Sequence, residues 1–142
     1  MTTEEKQAYI ISLLKPYFLD ISIRGFGLRE GREYPQCVYL APNGNKCAFG
    51  QTIDPEQYDK DMEGCVASNI LDQYVDCQLP EHKGKLNPTE WNYVQRIHDW
   101  MNDEVETYSH IYRCESQLGI SLSELKSLVP SVTEQFANAQ SN

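Results

Sequence analysis

The chain has 142 residues, of which 40% are hydrophobic and 11% aromatic, and its formal charge at pH 7 is −9. This length suits one domain with a hydrophobic core, and the aromatic content argues against disorder. The negative charge argues against general nucleic-acid binding, which needs clusters of Lys and Arg, but it suits a partner with a basic surface.

The first predicted element is an amphipathic helix over residues 3–17. Thr2 or Thr3 is placed to cap it, and Glu4 and Glu5 suit the positive end of its dipole. Its apolar side chains recur at helical spacing: Ile10, Leu13, Leu14 and Tyr17. The alternation of apolar and polar residues over 18–23 then predicts a short strand.

Three arginines follow within nine residues of an otherwise acidic chain: Arg24, Arg29 and Arg32. A solvated loop explains this pattern. A contact with an anion or an acidic partner also explains it, because guanidinium groups match carboxylates and phosphates in geometry.

Residues 37–50 are predicted to form an antiparallel hairpin on which the fold is organised. The arms carry β-favouring residues, including Tyr39 on the first and Phe49 on the second. Between them, Pro42 and the pair Asn43-Gly44 have the chemistry of a tight turn. Gly50 indicates a place where the backbone bends or approaches another element closely.

The rest of the chain is predicted to be mainly helical, with an irregular stretch over residues 75–87. We expect helices over residues 64–74, from Pro88 to about 102, over 105–118, over 121–129 and from 131 onwards, with a frayed tail from about 138. Asn87 and Glu90 suit a capping box at the second of these, Gly119 ends the third, and Pro130 ends the fourth. The sequence therefore predicts an α+β fold: one mainly helical domain over residues 1–142 with a small antiparallel sheet.

Five cysteines and three histidines supply enough ligands for zinc, but they do not occur in the close pairs of common structural sites. We therefore expect no metal and no cofactor. Because five cysteines cannot all pair, free thiols in a reducing cytosol are expected. The lack of a signal-peptide pattern and of a long apolar run likewise predicts a cytoplasmic protein without membrane association.

A cysteine-dependent hydrolase is one hypothesis. Cys47 is the candidate nucleophile and His98 the candidate base, with Asp99 or another carboxylate to orient the imidazole. Packing roles compete with this reading, since Cys47 precedes Ala48-Phe49 and His98 lies on an apolar helix face. Neighbouring residues on a helix do not share a face, so Asp99 is expected to point away from His98.

Two runs of carboxylates stand out, within residues 54–63 and 99–106. Solvated surface charge explains them, and the first run lacks the register of a calcium loop. The alternative is an acidic face that imitates phosphates toward a basic partner.

The segment from Cys37 to Ile53 fits the pattern C-x-Y-x-x-P-[DN]-G-x-K-C-A-x-G-x-x-I, and Met62-Glu63-Gly64 follows. In this pattern the chain resembles a family of small, uncharacterised proteins of bacteriophages and bacteria over about residues 35–100. The resemblance implies a compact domain and a mobile-element setting, and it carries over no catalytic or binding residues.

The sequence favours a non-enzymatic, acidic, phage-type protein that modulates or inhibits a host protein, such as a defence component, by direct association. A second hypothesis is a small-ligand module that sequesters a nucleotide. Its arginines would be Arg24, Arg29 or Arg32, and its stacking aromatic Tyr39 or Trp91. The cysteine hydrolase is the third.

Overall fold

A computed structural model describes residues 1–27 and 36–141 of the chain. These residues form five helices, α1 (Thr3–Leu19), α2 (Ala67–Gln73), α3 (Pro88–Asp99), α4 (Glu104–Leu118) and α5 (Ser123–Ser141). The described residues also form two antiparallel strands of two residues each, β1 (Phe26–Gly27) and β2 (Gln36–Cys37). Short 3₁₀ turns lie at Ile21–Ile23, Gly50–Thr52 and Lys60–Met62.

The prediction of an α+β fold with a hairpin over residues 37–50 is wrong, because the described chain is helical and the second arm is not a strand. After an isolated bridge between Leu40 and Lys46, the backbone bonds locally. The Gln51 amide donates to the Cys47 carbonyl at 3.0 Å. The predicted turn does form, with Gly44 at a φ of +91°.

The chain divides into two compact units, one comprising residues 1–23 and 96–142 and the other residues 24–95. A single domain over residues 1–142 stays a prediction. The expected frayed tail from about residue 138 falls within α5, which extends to Ser141.

The first unit packs α1, α4 and α5 around a shared apolar core. Of the two predicted caps, Thr2 is the one that begins α1, and it forms a capping box in which its side chain accepts from the Glu5 amide at 3.1 Å. The fully buried apolar side chains of this core are Ile10, Leu14 and Phe18 of α1, Ile111 and Cys114 of α4, Leu125 and Val129 of α5, and Leu122 directly before α5. The α5 side chain of Gln135 donates to the Phe18 carbonyl at 2.9 Å, which ties α5 to the end of α1.

Two predicted breaks in this unit are wrong. Residues 18–23 are not a strand, because α1 continues past Pro16 to Leu19 and a 3₁₀ turn follows. Pro130 does not end a helix, since α5 runs through it. A proline removes only one backbone donor, and the Pro130 side chain is exposed.

The second unit is built on three aromatic rings. Phe49 packs edge-to-face against Tyr39 at 5.7 Å and against Trp91 at 5.1 Å between ring centroids. A Cβ on Gly50 would lie 2.1 Å from the Tyr39 carbonyl oxygen, which confirms the predicted close approach at this glycine. The main chain at Tyr39 is therefore packed directly against Gly50.

Glu63 joins three parts of this unit. Its carboxylate accepts from the amides of Tyr39 at 2.9 Å and Leu40 at 3.1 Å and from the hydroxyl of Tyr58 at 2.6 Å. Burial of the hydroxyl raises the pKa of Tyr58, and the hydrogen bond to Glu63 raises it further. The Tyr39 hydroxyl in turn donates to the Cys65 carbonyl.

Candidate functional site

The turn between α3 and α4 places a large aromatic side chain, Trp100, at the surface. Its carbonyl accepts from the Asp103 amide at 3.1 Å and from the Thr107 hydroxyl at 3.1 Å. Thr107 is fully buried. Met101, which follows Trp100 in the turn, is only 2% exposed. The backbone at Trp100 is thus fixed from both sides, while 48% of the residue stays exposed.

One neighbour of the Trp100 ring is His110 of α4. The two rings stack with centroids 5.9 Å apart and an interplanar angle of 28°. His110 Nε2 lies 3.4 Å from the carboxylate of Glu106, one helical turn earlier. The imidazole therefore acts as a support beneath the indole.

Burial lowers the pKa of His110 below its ordinary value of 6.5. Glu106 opposes this shift, Arg113 and Arg96 add to it, and Asp99 opposes it more weakly. At neutral pH the ring that supports Trp100 is therefore an uncharged imidazole.

The opposite flank of α4 exposes a second set of apolar and aromatic side chains. Val105, Tyr108 and Tyr112 follow one another at i, i+3 and i+7 and share one helix face. Val105 is 75% and Tyr112 is 56% exposed. We call Trp100, Val105, Tyr108 and Tyr112 together the α4 surface.

The ring of Tyr112 makes a cation–π contact with Lys126 of the same chain. The Lys126 ammonium lies 4.8 Å from the centroid of the Tyr112 ring and 3.0 Å from the Glu115 carboxylate. Tyr108 stacks on Tyr112 with centroids 6.4 Å apart. These contacts hold the tyrosines in place on α4.

The arginines predicted to bind a ligand or partner are only partly described. Arg24 is buried at 8% exposure, and its guanidinium carbon lies 5.1 Å from the centre of the Phe26 ring. Arg29 and Arg32 lie outside the described residues. The described arginine is thus part of the packing around β1.

Both predicted stacking aromatics lie in the aromatic core of the second unit, Tyr39 at 7% exposure and Trp91 at 0%. A pocket of about 60 Å³ beside Tyr39 is lined also by Lys46 and Tyr58. Sites for drug-sized ligands occupy roughly 300–1,000 Å³, so this pocket is small for a nucleotide. Ligand binding by Tyr39 or Trp91 stays a prediction.

Cys47, the predicted nucleophile, has a fully buried thiol in this structure. Its sulfur accepts a hydrogen bond from the Gly50 amide at 3.2 Å, so the side chain closes a turn of the second unit. Nucleophiles need a base and a partly exposed setting. Catalysis by Cys47 therefore stays a prediction.

His98, the predicted base, is fully buried in the first unit. Its Nδ1 lies 3.1 Å from the Asp99 carboxylate, so the expectation that Asp99 points away from it is wrong. The Tyr17 ring packs edge-to-face on the imidazole at 4.8 Å. His98 Nε2 has no hydrogen-bond partner within residues 1–27 and 36–141. In many catalytic and metal-binding histidines a carboxylate contacts one ring nitrogen and orients the imidazole. Asp99 makes this type of contact with His98, whose ring is buried.

Sequence reasoning missed Trp100, Val105 and His110 as site residues. A signal for Trp100 existed, because the buried stripe of α3 runs through Trp91, Val94 and Ile97 to Met101. Trp100 directly precedes Met101 and so falls outside the helical spacing of the buried residues. The sequence pattern therefore places a large aromatic side chain away from the buried face.

Comparisons of the chain with protein-family models, with curated proteins and with solved structures found no match. None of the described helices has the length and apolar character needed to cross a bilayer.

Proposed function

We propose that this acidic, phage-type protein binds a protein of the host cell directly through the α4 surface and thereby modulates or inhibits it. The observation that carries the proposal is Trp100, an aromatic side chain held nearly half exposed on a fixed turn.

The residue types of the α4 surface are those that dominate protein interfaces. Trp and Tyr are enriched among interface residues, and truncating such an anchor often weakens binding by 2 kcal/mol or more. Three of the nine large hydrophobic residues that are exposed in the described chain lie between residues 100 and 112: Trp100, Val105 and Tyr112. Scattered exposed apolar residues are ordinary, but these three lie close together in the sequence, on α4 and on the turn before it, where each is available to a partner that contacts α4.

Rigidity favours the same function. Buried Thr107 donates to the carbonyls of Trp100 at 3.1 Å and Asp103 at 2.7 Å. The Asp103 side chain in turn accepts from the Glu106 amide at 3.0 Å and caps α4. A side chain that is already ordered loses less conformational entropy when a partner covers it.

Charge favours a basic partner. The formal charge of the chain is −9, and four carboxylates lie within residues 99–106. Complementary charge speeds association and selects among partners. We therefore expect the bound surface of the host protein to be rich in Lys and Arg.

The proposal is tested by affinity capture from a host lysate with three immobilised proteins: the unchanged chain, the double variant Trp100→Ala/Val105→Ala and Val75→Ala. Val75 is a matched control because it is 70% exposed but belongs to the other unit. We expect the unchanged chain and Val75→Ala to retain the same host protein. The double variant should retain at least about tenfold less, as for the loss of an interface anchor.

Two outcomes would contradict the proposal. One is that the unchanged chain retains no specific protein. The other is that the double variant retains it as well as Val75→Ala does, provided that circular dichroism shows the two variants equally folded.

A further inference from the structure

We propose that Trp100 is a cation subsite, which receives the guanidinium group of an arginine side chain on the partner protein. This inference rests on the proposed function and deepens it, because it names the partner group that the α4 surface recognises.

The indole has one face supported and a large area open. His110 stacks on it at 5.9 Å and 28°, which occupies one face of the ring, and the residue remains 48% exposed. The exposed part of the residue is available to a partner. Trp is the aromatic side chain that attracts a cation over its face most strongly.

Cations already lie over aromatic rings elsewhere in this chain. Lys126 lies 4.8 Å from the centre of the Tyr112 ring, and Arg24 lies 5.1 Å from that of Phe26. No cation lies over Trp100 in the part of the chain that the structure describes. The Trp100 ring thus differs from the rings of Tyr112 and Phe26, because no cation of the described chain lies over it.

The segment of the chain that contains Trp100 is negative in total. Residues 96–113 contain two guanidinium groups, Arg96 and Arg113, and four carboxylates, Asp99, Asp103, Glu104 and Glu106. The supporting imidazole of His110 adds no charge at neutral pH, because burial lowers its pKa. An incoming cation thus meets an aromatic face and an excess of carboxylates, whereas an anionic group meets neither attraction.

Arginine fits this arrangement better than lysine. Its guanidinium is planar, is hydrated more weakly than an ammonium and stacks on aromatic faces. Its remaining N–H groups can donate to carboxylates, and Asp103 and Glu104 are both exposed at the start of α4.

The test uses the full chain and two probe peptides of equal charge, acetyl-(Gly-Arg)₃-amide and acetyl-(Gly-Lys)₃-amide. Each is titrated at physiological ionic strength while the two indole N–H resonances are followed by NMR, one from buried Trp91 and one from exposed Trp100. The resonance of Trp100 is assigned with Trp100→Phe. We expect it to shift with the arginine peptide, to shift less with the lysine peptide, and the Trp91 resonance to stay in place.

The decisive variant is Trp100→Leu, which keeps every charge and an apolar side chain but loses the aromatic face. Calorimetry should show roughly two- to fivefold weaker binding of the arginine peptide to this variant, and an intermediate loss for Trp100→Phe. Val75→Ala should bind as the unchanged chain does. Attraction by net charge alone would be equal in all four proteins.

Equal affinity of Trp100→Leu and the unchanged chain, or an unmoved Trp100 resonance, would overturn the cation subsite. The proposed function has a separate readout, because capture of a host protein that depends on Trp100 would still stand in that case. Conversely, a peptide effect at Trp100 without any captured host protein would support the subsite and contradict the function.

Discussion

At the residue scale, the two tryptophans have different surroundings. Trp91 is fully buried against Phe49, whereas Trp100 is 48% exposed and stacked on His110. The hydrophobic stabilisation that a side chain gives to folding grows with the apolar area that it buries, and aromatic side chains bury large areas. The exposed part of Trp100 makes no such contribution in this chain and is free to make it on binding.

Glu63 gives a prediction about stability at this scale. Glu63→Gln leaves one side-chain oxygen for the amides of Tyr39 and Leu40 and brings an amide N–H₂ toward these donors. We expect the free energy of unfolding to fall by about 1–3 kcal/mol, as measured by urea denaturation. The same change at exposed Glu56 should alter it by less than about 0.5 kcal/mol. Equal effects of the two variants would show that the Glu63 contacts do not stabilise the second unit.

His110 gives a prediction about pH. Because its pKa in the folded chain is lowered from 6.5, the unfolded chain takes up a proton first as the pH falls. The free energy of unfolding should therefore decrease below about pH 7, until His110 in the folded chain is protonated as well. Burial lowers the pKa of His82 too, so both histidines contribute in the same direction.

The measurement is urea denaturation at about pH 7.5 and about pH 5.5 for the unchanged chain and His110→Gln, a pH range that spans the ordinary pKa of histidine. The variant should lose less stability between the two pH values, whatever its stability at the higher one. An identical loss in both proteins would contradict a titrating role for His110.

At the element scale, capping gives the clearest prediction. The Asn87 side chain accepts from the Glu90 amide at 2.9 Å, and Glu90 accepts from the Asn87 amide at 2.9 Å, so the predicted capping box is confirmed. Asn87→Ala should lower the free energy of unfolding by about 1 kcal/mol in chemical denaturation. Thr89→Ala, at an exposed position of the same helix, should change it by less than about 0.5 kcal/mol. A result in which Asn87→Ala matches Thr89→Ala would contradict the cap.

The helices were predictable where local signals agreed with burial. Thr2 and Asn87 marked true helix starts, and Gly119, at a φ of +68°, marked a true end. These signals depend on side chains within one helical turn, so the sequence contains them in full.

The strands were not predictable in the same way. The β-favouring residues Cys47 and Phe49 follow the predicted turn, but a strand needs a partner that local sequence does not specify. In the structure, Phe49 is buried against Tyr39 and Trp91 instead, and its amide donates to the side chain of Gln95 at 2.8 Å. Long-range packing of one aromatic ring thus outweighs the local preference.

The candidate site was the least predictable part. Arg24, Tyr39 and Trp91 carry side chains suited to binding, yet all three are buried. Residue type indicates what a side chain can do, whereas its exposure depends on the packing of the whole unit. The exposure of Trp100 could be predicted only from its position outside the helical spacing of the buried residues Trp91, Val94 and Ile97.

At the scale of the whole molecule, charge gives a prediction about binding. Because the formal charge of the chain is −9, its association with the proposed basic partner should be steered by long-range attraction. Raising the ionic strength should therefore slow association with the captured host protein and leave the dissociation rate nearly unchanged, as measured by surface plasmon resonance. An association rate that is independent of salt would contradict a basic partner surface.

The most direct measurement is hydroxyl-radical footprinting of the chain, alone and bound to the captured host protein. Trp100 and Tyr112 of the α4 surface are exposed at 48% and 56%, and Phe26, in the other unit, is exposed at 43%. We expect binding to protect Trp100 and Tyr112 from oxidation and to leave Phe26 as reactive as in the free chain. Protection of Phe26 with unchanged oxidation of Trp100 would contradict the account, because the partner would then bind away from α4.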